Sequence, residues 1–270
     1  MKYNVIKKLG SGSAGDAYLI DDNKAIIVGK REDSFETYKA LFEKMKVFDG
    51  KITSVKYPKI YELISPCKDY PFGALVEDYI GGVELRDAVS NLRDSQKETV
   101  GKVLANFVAE VHSISVEDKK EEEININLSK YDRSLSILKE YIQEDVYQKL
   151  VDLKSNYKNL LQNKQFCLTH GDLNAGNIMI DSQGNVSGII DFGNMEYYIP
   201  EIEFVHMYFF DTTIYSAMLK NYIQPIEDKE VVFLELVVNI RHFKNIKNFE
   251  DRKTKCLNNI QMLLNKYQSM

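Results

Sequence analysis

Between residues 170 and 193 the chain reads His170-Gly171-Asp172-Leu173-Asn174-Ala175-Gly176-Asn177, then, after a short intervening segment, Ile189-Ile190-Asp191-Phe192-Gly193. This stretch constrains the fold more than any other. Residues 177 to 181 and 186 to 191 flank Ser182-Gln183-Gly184-Asn185, which reads as a hairpin turn. Asp172 and Asn177 therefore lie on the loop that enters the hairpin, and Asp191 lies at its exit.

The residue types suit a phosphoryl group in transfer, whose charge is spread over its equatorial oxygens and has to be neutralised while the reactants are held in place. Mg²⁺ takes hard oxygen ligands and keeps several waters. A carboxylate (Asp191) and an amide carbonyl (Asn177), with the phosphates of a nucleotide, complete such a shell. Asp172, five residues before Asn177, is placed to accept or orient the proton of an attacking hydroxyl. An ordinary aspartate is already ionised at neutral pH, so it needs no special environment. His170 belongs to the same catalytic constellation, with the expected task of holding the loop through hydrogen bonds.

The 270 residues, 44% of them hydrophobic, are enough for two lobes with a sizeable core. A formal charge of -5 argues against a nucleic-acid partner, which would call for an excess of Lys and Arg. Cys67, Cys167 and Cys256 are far apart and in no C-x-x-C pair, the pattern of a reducing cytoplasm. No apolar run approaches the roughly 18 residues of a membrane helix, and no membrane partner is expected.

The opening reads as strand, glycine turn, strand: residues 3 to 9, Gly10-Ser11-Gly12-Ser13-Ala14-Gly15, then residues 17 to 20. Asp21-Asp22-Asn23 is a turn, residues 24 to 30 a third strand, and residues 33 to 48 a helix. Further strands are expected at 59 to 64 and 73 to 78, and Ile80-Gly81-Gly82 is the linker. The domains are accordingly 1-80, a nucleotide-binding lobe, and 81-270, a catalytic and substrate-binding lobe. The second contains long amphipathic segments at 97 to 112 and 134 to 161, a charged stretch at 117 to 123 read as a solvated loop or helix end, and a helical tail from Val205 broken near Pro225.

Gly10, Gly12 and Gly15 form G-x-G-x-x-G, and β-type sequence comes after them. A dinucleotide fingerprint would lead into a helix, so the loop reads as a hairpin over nucleotide phosphates. A cation on the third strand, held by an acid on the next helix, would complete the site. Lys30 and Glu36 take those roles; Val28 also aligns with the lysine position, and Asp33 with Glu36 resembles a helix capping box. His206 and His242 have no partner spacing. Glu203 either orients the metal loop or caps a helix.

With these motifs, spread over most of its length, the chain resembles the aminoglycoside phosphotransferase family, small-molecule kinases related to choline kinase and to protein kinases. The resemblance rests on the glycine loop, on Leu75-Val76-Glu77-Asp78-Tyr79-Ile80-Gly81-Gly82, on His170-Gly171-Asp172 with Asn177, and on Asp191-Phe192-Gly193. It implies an α+β bilobal protein-kinase-like fold, with an N-terminal antiparallel sheet lobe carrying one main helix and a larger, mostly helical C-terminal lobe. It also implies ATP or GTP in the cleft with its base against Glu77, Tyr79 and Ile80, Mg²⁺ on Asn177 and Asp191, and transfer to a small-molecule hydroxyl near Asp172. Glu203 stands where many relatives carry Asp.

A protein kinase would carry Arg after the catalytic-loop His and a long segment before A-P-E, but here Gly171 comes after His170 and Ile199-Pro200-Glu201 comes soon after Gly193. An aminoglycoside is the leading acceptor class, with Glu140, Glu144, Asp145, Glu196 and Glu201 as carboxylates that would suit its positive charge. A macrolide, a choline-like or amino alcohol, and a catalytically idle nucleotide-binding module are the alternatives.

Overall fold

The computed structural model describes residues 3–12, 15–20 and 23–270. Part of the expected glycine loop (Ser13, Ala14) and of the turn after it (Asp21, Asp22) lies outside them. The first lobe is a five-stranded antiparallel sheet in the order β1-β2-β3-β5-β4. Its strands are β1 (Val5–Ser11), β2 (Gly15–Ile20), β3 (Lys24–Gly29), β4 (Ile60–Ile64) and β5 (Ala74–Asp78), with α1 (Ser34–Met45) inserted after β3. Side chains alternate across a pleated strand. One face gathers Ile20, Ile26, Ala74 and Val76 with Tyr70 into a small core of its own. The opposite face carries Ala25, Ile27, Leu75 and Glu77, which pair in register as Ala25 with Glu77 and Ile27 with Leu75. α1 covers part of this second face: a Cβ on Gly15 would collide with the Tyr38 hydroxyl and the Ile27 side chain, so a larger residue there would push the helix away.

The second lobe begins with β6 (Val83–Glu84) and α2 (Leu85–Ala88), and continues with α3 (Asp94–His112), α4 (Lys120–Leu138) and α5 (Glu144–Asn163). Next come β7 (Cys167–Thr169), β8 (Ile178–Ile180), β9 (Val186–Ile189) and β10 (Glu196–Tyr198), and the chain ends in α6 (Val205–Phe210), α7 (Thr212–Asn221), α8 (Asp228–Ile246) and α9 (Glu250–Ser269). The expected single segment at 134 to 161 is two helices. The chain reverses between them, so that Tyr131 of α4 donates to the Leu150 carbonyl of α5 at 2.8 Å and its ring lies 5.5 Å from that of Tyr157. The charged stretch is partly helix, with Glu121, Glu122 and Glu123 in the first turn of α4, where the helix dipole favours acids.

Phe192 is one of the residues through which the lobes pack together, beside the bonds of Thr53 and Ser54 to Glu110 of α3. Phe192, 3% exposed, has its ring 5.3 Å from Phe48, 6.1 Å from Tyr57, 6.2 Å from Phe107 and 4.6 Å from His170. Phe48 and Tyr57 come from the segment between α1 and β4, Phe107 from α3 and His170 from the loop after β7. Lys44 of α1 adds a hydrogen bond to the Met195 carbonyl at 3.0 Å. Among the described residues, no helix is long and apolar enough to cross a membrane.

Candidate active site

The loop from His170 to Asn177 leaves β7 and enters β8, and its shape is fixed from beneath by two buried groups. His170 is fully buried. Its Nε2 lies 3.2 Å from the Ile190 carbonyl, which can only accept, so Nε2 carries the proton. Nδ1 is thereby left to accept the Asp172 N–H at 3.3 Å. Burial holds the ring down to about 4, with the Ile190 bond and the Asp172 charge pulling the other way, so it is neutral at physiological pH. Both nitrogens are spent on backbone, and His170 pins the loop without handling a substrate proton.

Glu203, on the 3-10 turn Pro200–Phe204, is the second support. Its Oε1 accepts from the backbone N–H groups of His170 and Gly171, while its Oε2 is buried with no partner among the described residues. It braces the loop that carries Asp172, a role different from the two considered from the sequence. Gly171 sits at φ +77°, and a Cβ there would run into the Asn194 carbonyl, so only glycine fits. Burial pushes the Glu203 carboxyl up to about 7, against the two backbone donors. From the ordinary 4.5 to about 7 the folded chain therefore keeps a proton that the unfolded chain has lost, and stability falls as pH rises through that window. Glu203→Gln keeps an acceptor for both N–H groups and removes the titration. Denaturant unfolding at about pH 5 and about pH 8 is expected to show wild type losing stability relative to this variant at the higher pH; parallel behaviour of the two would contradict it.

Asp172 is held on three sides. Asn174 Nδ2 donates to its Oδ1 at 2.8 Å, His206 Nε2 lies 3.4 Å from the same oxygen, and Asn194 Nδ2 donates to Oδ2 at 3.2 Å. Burial would raise its carboxyl, but the His206 and Asn174 bonds outweigh that and hold it below the usual carboxylate range. It is ionised at neutral pH. Asn177 Nδ2 donates to the Asp172 carbonyl at 2.9 Å, which turns Oδ1 of the amide outward. The Ile190 N–H donates to the Asn177 carbonyl at 2.9 Å and so locks Asp191 beside Asn177.

Asp191 adopts a left-handed backbone, φ 65° and ψ 67°, which is uncommon for a residue other than glycine. Among the described residues its carboxylate accepts only a long 3.4 Å bond, from the Gly193 N–H. Burial and the nearby Asp172 charge raise its pKa. Asn177 Oδ1 and Asp191 are thus hard oxygens with lone pairs to spare, and a cation between them would relieve the repulsion of Asp191 by Asp172. The donor set fits Mg²⁺.

The nucleotide side is less regular. Lys30 lies one residue past β3, with Nζ 2.8 Å from Ser11 Oγ and 3.4 Å from Asp16 Oδ1, at the mouth of the glycine hairpin. The Ser11 hydroxyl, Lys8 and Lys30 together hold the Asp16 carboxyl down to about 2. The structure does not bring Lys30 and Glu36 together: Glu36 is exposed and faces Lys39 at 4.0 Å. Nor does Val28 supply a cation, and the face of β3 shared with Glu77 carries Ala25 and Ile27. The Gly12 N–H closes the described part of the glycine loop on the Gly15 carbonyl at 2.8 Å, while Gly10 leaves open space where a Cβ would stand. Glu77 has its carboxyl pushed up to about 8 by burial, with Asp191 and Asp78 adding to the shift. The Tyr79 N–H is already spent on the Asn23 carbonyl at 3.0 Å, and Ile80 is buried. Glu201, expected to line the acceptor pocket, is instead buried and tied to Lys164 at 2.6 Å.

The path of the chain beyond Asp191-Phe192-Gly193 decides the kind of enzyme. It goes at once into β10, which pairs with β7 as Glu196 with Thr169 and Tyr198 with Cys167, and Pro200 begins the next turn. No segment is left to hold a polypeptide acceptor. The family model of the phosphotransferase enzyme family, APH, matches residues 5–228. The chain belongs to this family. It is a phosphotransferase, and solved structures show the same bilobal α+β kinase-like fold. The GDP complex of aminoglycoside 2'-phosphotransferase-IIIa is similar at TM-score 0.80 and 15% identity, covering 98% of this chain and 94% of that one. The gentamicin complex of APH(2")-IIa gives 0.75 and 20%, covering 97% and 92%. Macrolide 2'-phosphotransferase MphH from Brachybacterium faecium gives 0.71 and 10%, covering 96% and 94%.

His206, Asn194 and the bracing role of Glu203 were missed in the sequence. Asn194, directly after the Asp191-Phe192-Gly193 motif, carried a local signal; His206 reaches Asp172 only through the packing of α6.

Proposed function

We propose that this phosphotransferase moves the terminal phosphate of ATP or GTP to a hydroxyl of a small molecule, with an aminoglycoside-type antibiotic as the first acceptor class to test. The observation that carries the reading is an ionised Asp172 with lone pairs to spare, beside Asn177 Oδ1 and Asp191, and with no segment between Gly193 and β10 to seat a protein. Asp172 accepts or orients the proton of the acceptor hydroxyl. Asn177 and Asp191 are the residues that would hold Mg²⁺, which when bound supplies charge neutralisation for the nucleotide phosphates. Gly10, Gly12 and Gly15 cover the phosphates, Lys30 stands at the mouth of that loop, and the Glu77 to Ile80 edge meets the base. The solved complexes support a small acceptor, since the structures similar to this chain hold gentamicin in one case and belong to a macrolide phosphotransferase in another.

A second reading, a nucleotide-binding module that transfers nothing, draws on the inner face of β3, where Ala25 and Ile27 stand in place of a cation. A panel of aminoglycosides, macrolides and amino alcohols, each with ATP and with GTP, separates the two. Transfer to at least one acceptor is expected; Mg²⁺-dependent nucleotide binding with no transfer to any of them would favour the idle module.

A further inference from the structure

We propose that His206 is a positioning residue for the transfer step: as an imidazolium it occupies Oδ1 of Asp172 and leaves Oδ2 as the oxygen that meets the acceptor hydroxyl. The inference rests on the reading of Asp172 as the group that meets that hydroxyl.

An ionised carboxylate offers about four lone-pair positions, two on each oxygen. On Asp172 Oδ1, Asn174 Nδ2 donates at 2.8 Å and His206 Nε2 adds an ion-pair contact at 3.4 Å. On Oδ2, Asn194 Nδ2 donates at 3.2 Å and no cation bonds it among the described residues. The less covered oxygen is Oδ2. Without His206 the carboxylate has a free position on each oxygen and can rotate between them, so the acceptor hydroxyl meets a mixture of geometries.

His206 is itself held in a ring of acids. It stands on α6 in contact with Asp172 and in the electrostatic field of Glu203 from the 3-10 turn and Glu235 from α8, while the buried His170 ring is neutral. Glu235 is fixed by Asn239, whose Nδ2 donates to Oε1 at 2.9 Å, while its Oε2 is buried without a hydrogen-bond partner among the described residues. Burial lowers the pKa of His206, but Asp172, Glu235 and Glu203 outweigh it and raise it above the ordinary histidine value. A group shifted in this direction gives its full contribution below the ordinary value of about 6.5 and loses it as pH climbs through the raised one. The side chains of His206 and Asp172 are 31% and 27% exposed, so water weakens the pair without removing it. The cation has a further effect: it offsets the repulsion between Asp172 and Asp191, which otherwise favours protonating the base as phosphates approach.

The test uses two readouts on the full chain. In NMR titration of histidine-labelled protein, assigned with His206→Gln, the His206 ring should titrate above the ordinary histidine value and move down in Asp172→Asn and in Glu235→Gln. In Mg²⁺-dependent hydrolysis of the nucleotide, where water stands in for the acceptor, His206→Gln should lower kcat by roughly tenfold to a hundredfold with KM for the nucleotide unchanged. Glutamine can still donate to Oδ1 but carries no charge, so occupancy by hydrogen bonding alone would be rescued by it and the remaining loss reads the cation that holds Oδ1 and offsets Asp191; His206→Lys, which keeps a cation, should recover part of the loss. The alkaline decline of wild-type kcat should vanish in the Gln variant. Titration of His206 at or below the ordinary value, or wild-type kcat in His206→Gln, would overturn the proposal. Should Asp172→Asn hydrolyse nucleotide at the wild-type rate, the transfer reading falls and this proposal with it; the titration needs no turnover and so tells that failure apart.

Discussion

Asp172→Asn is expected to lower kcat for transfer by about two to four orders of magnitude while leaving nucleotide affinity nearly unchanged. Asn is close in shape and retains an oxygen to accept from Asn174 or Asn194, so the loop keeps its form and the change is confined to charge and basicity. Removing the negative charge also relieves Asp191, whose pKa Asp172 helps to raise, and nucleotide binding with metal should not suffer. Single-turnover transfer beside a direct binding measurement distinguishes the two effects. A parallel loss of binding and turnover would mean that Asp172 holds the nucleotide and does not serve the acceptor.

The second large effect is on stability and reaches activity through it. Phe192→Ala removes a ring that touches four other rings, from the α1–β4 segment, from α3 and from the catalytic loop. Truncating a buried phenylalanine costs about 3–5 kcal/mol, because transfer energy and an unfilled cavity add. His170 loses its nearest ring partner, and the Ile190 carbonyl that fixes its tautomer is two residues from the truncated side chain. A denaturant midpoint well below wild type, with kcat falling more than KM rises, is the expected outcome. A loss of less than about 1 kcal/mol in unfolding free energy would show that this ring carries little of the packing between the lobes.

The strands of the first lobe were legible because each is a short, largely apolar run with Gly, Asp, Asn or Pro at or just beyond its end, Pro66 after β4 among them. The break between α4 and α5 was not. Lys139 to Gln143 contains no glycine or proline, and every residue in it is compatible with helix. The chain turns there because two amphipathic faces are buried only if α5 folds back along α4, a tertiary requirement that local propensity does not encode. Lys30 shows how little of a strand end local pattern specifies. The apolar run marked β3, but not that pairing stops at Gly29 and leaves Lys30 to bond Ser11 and Asp16 at the hairpin mouth.

The site divides in the same way. Asp172, Asn177 and Asp191 were readable because one hairpin carries them, and their spacing along the chain translates directly into proximity. Glu203 and His206 arrive from a later turn and helix, and nothing local marks a glutamate as the partner of two N–H groups more than thirty residues earlier. The Glu77 carboxyl stands in the same electrostatic field as Asp191, more than a hundred residues later, which no local pattern announces.

Product analysis by phosphorus NMR, with nucleotide, Mg²⁺ and an acceptor from the panel, tests transfer by this hairpin most directly. A new phosphate monoester on the acceptor is expected with wild type, and none above background with Asp191→Ala. Monoester formed equally well without the Asp191 carboxylate would contradict a transfer that depends on this hairpin.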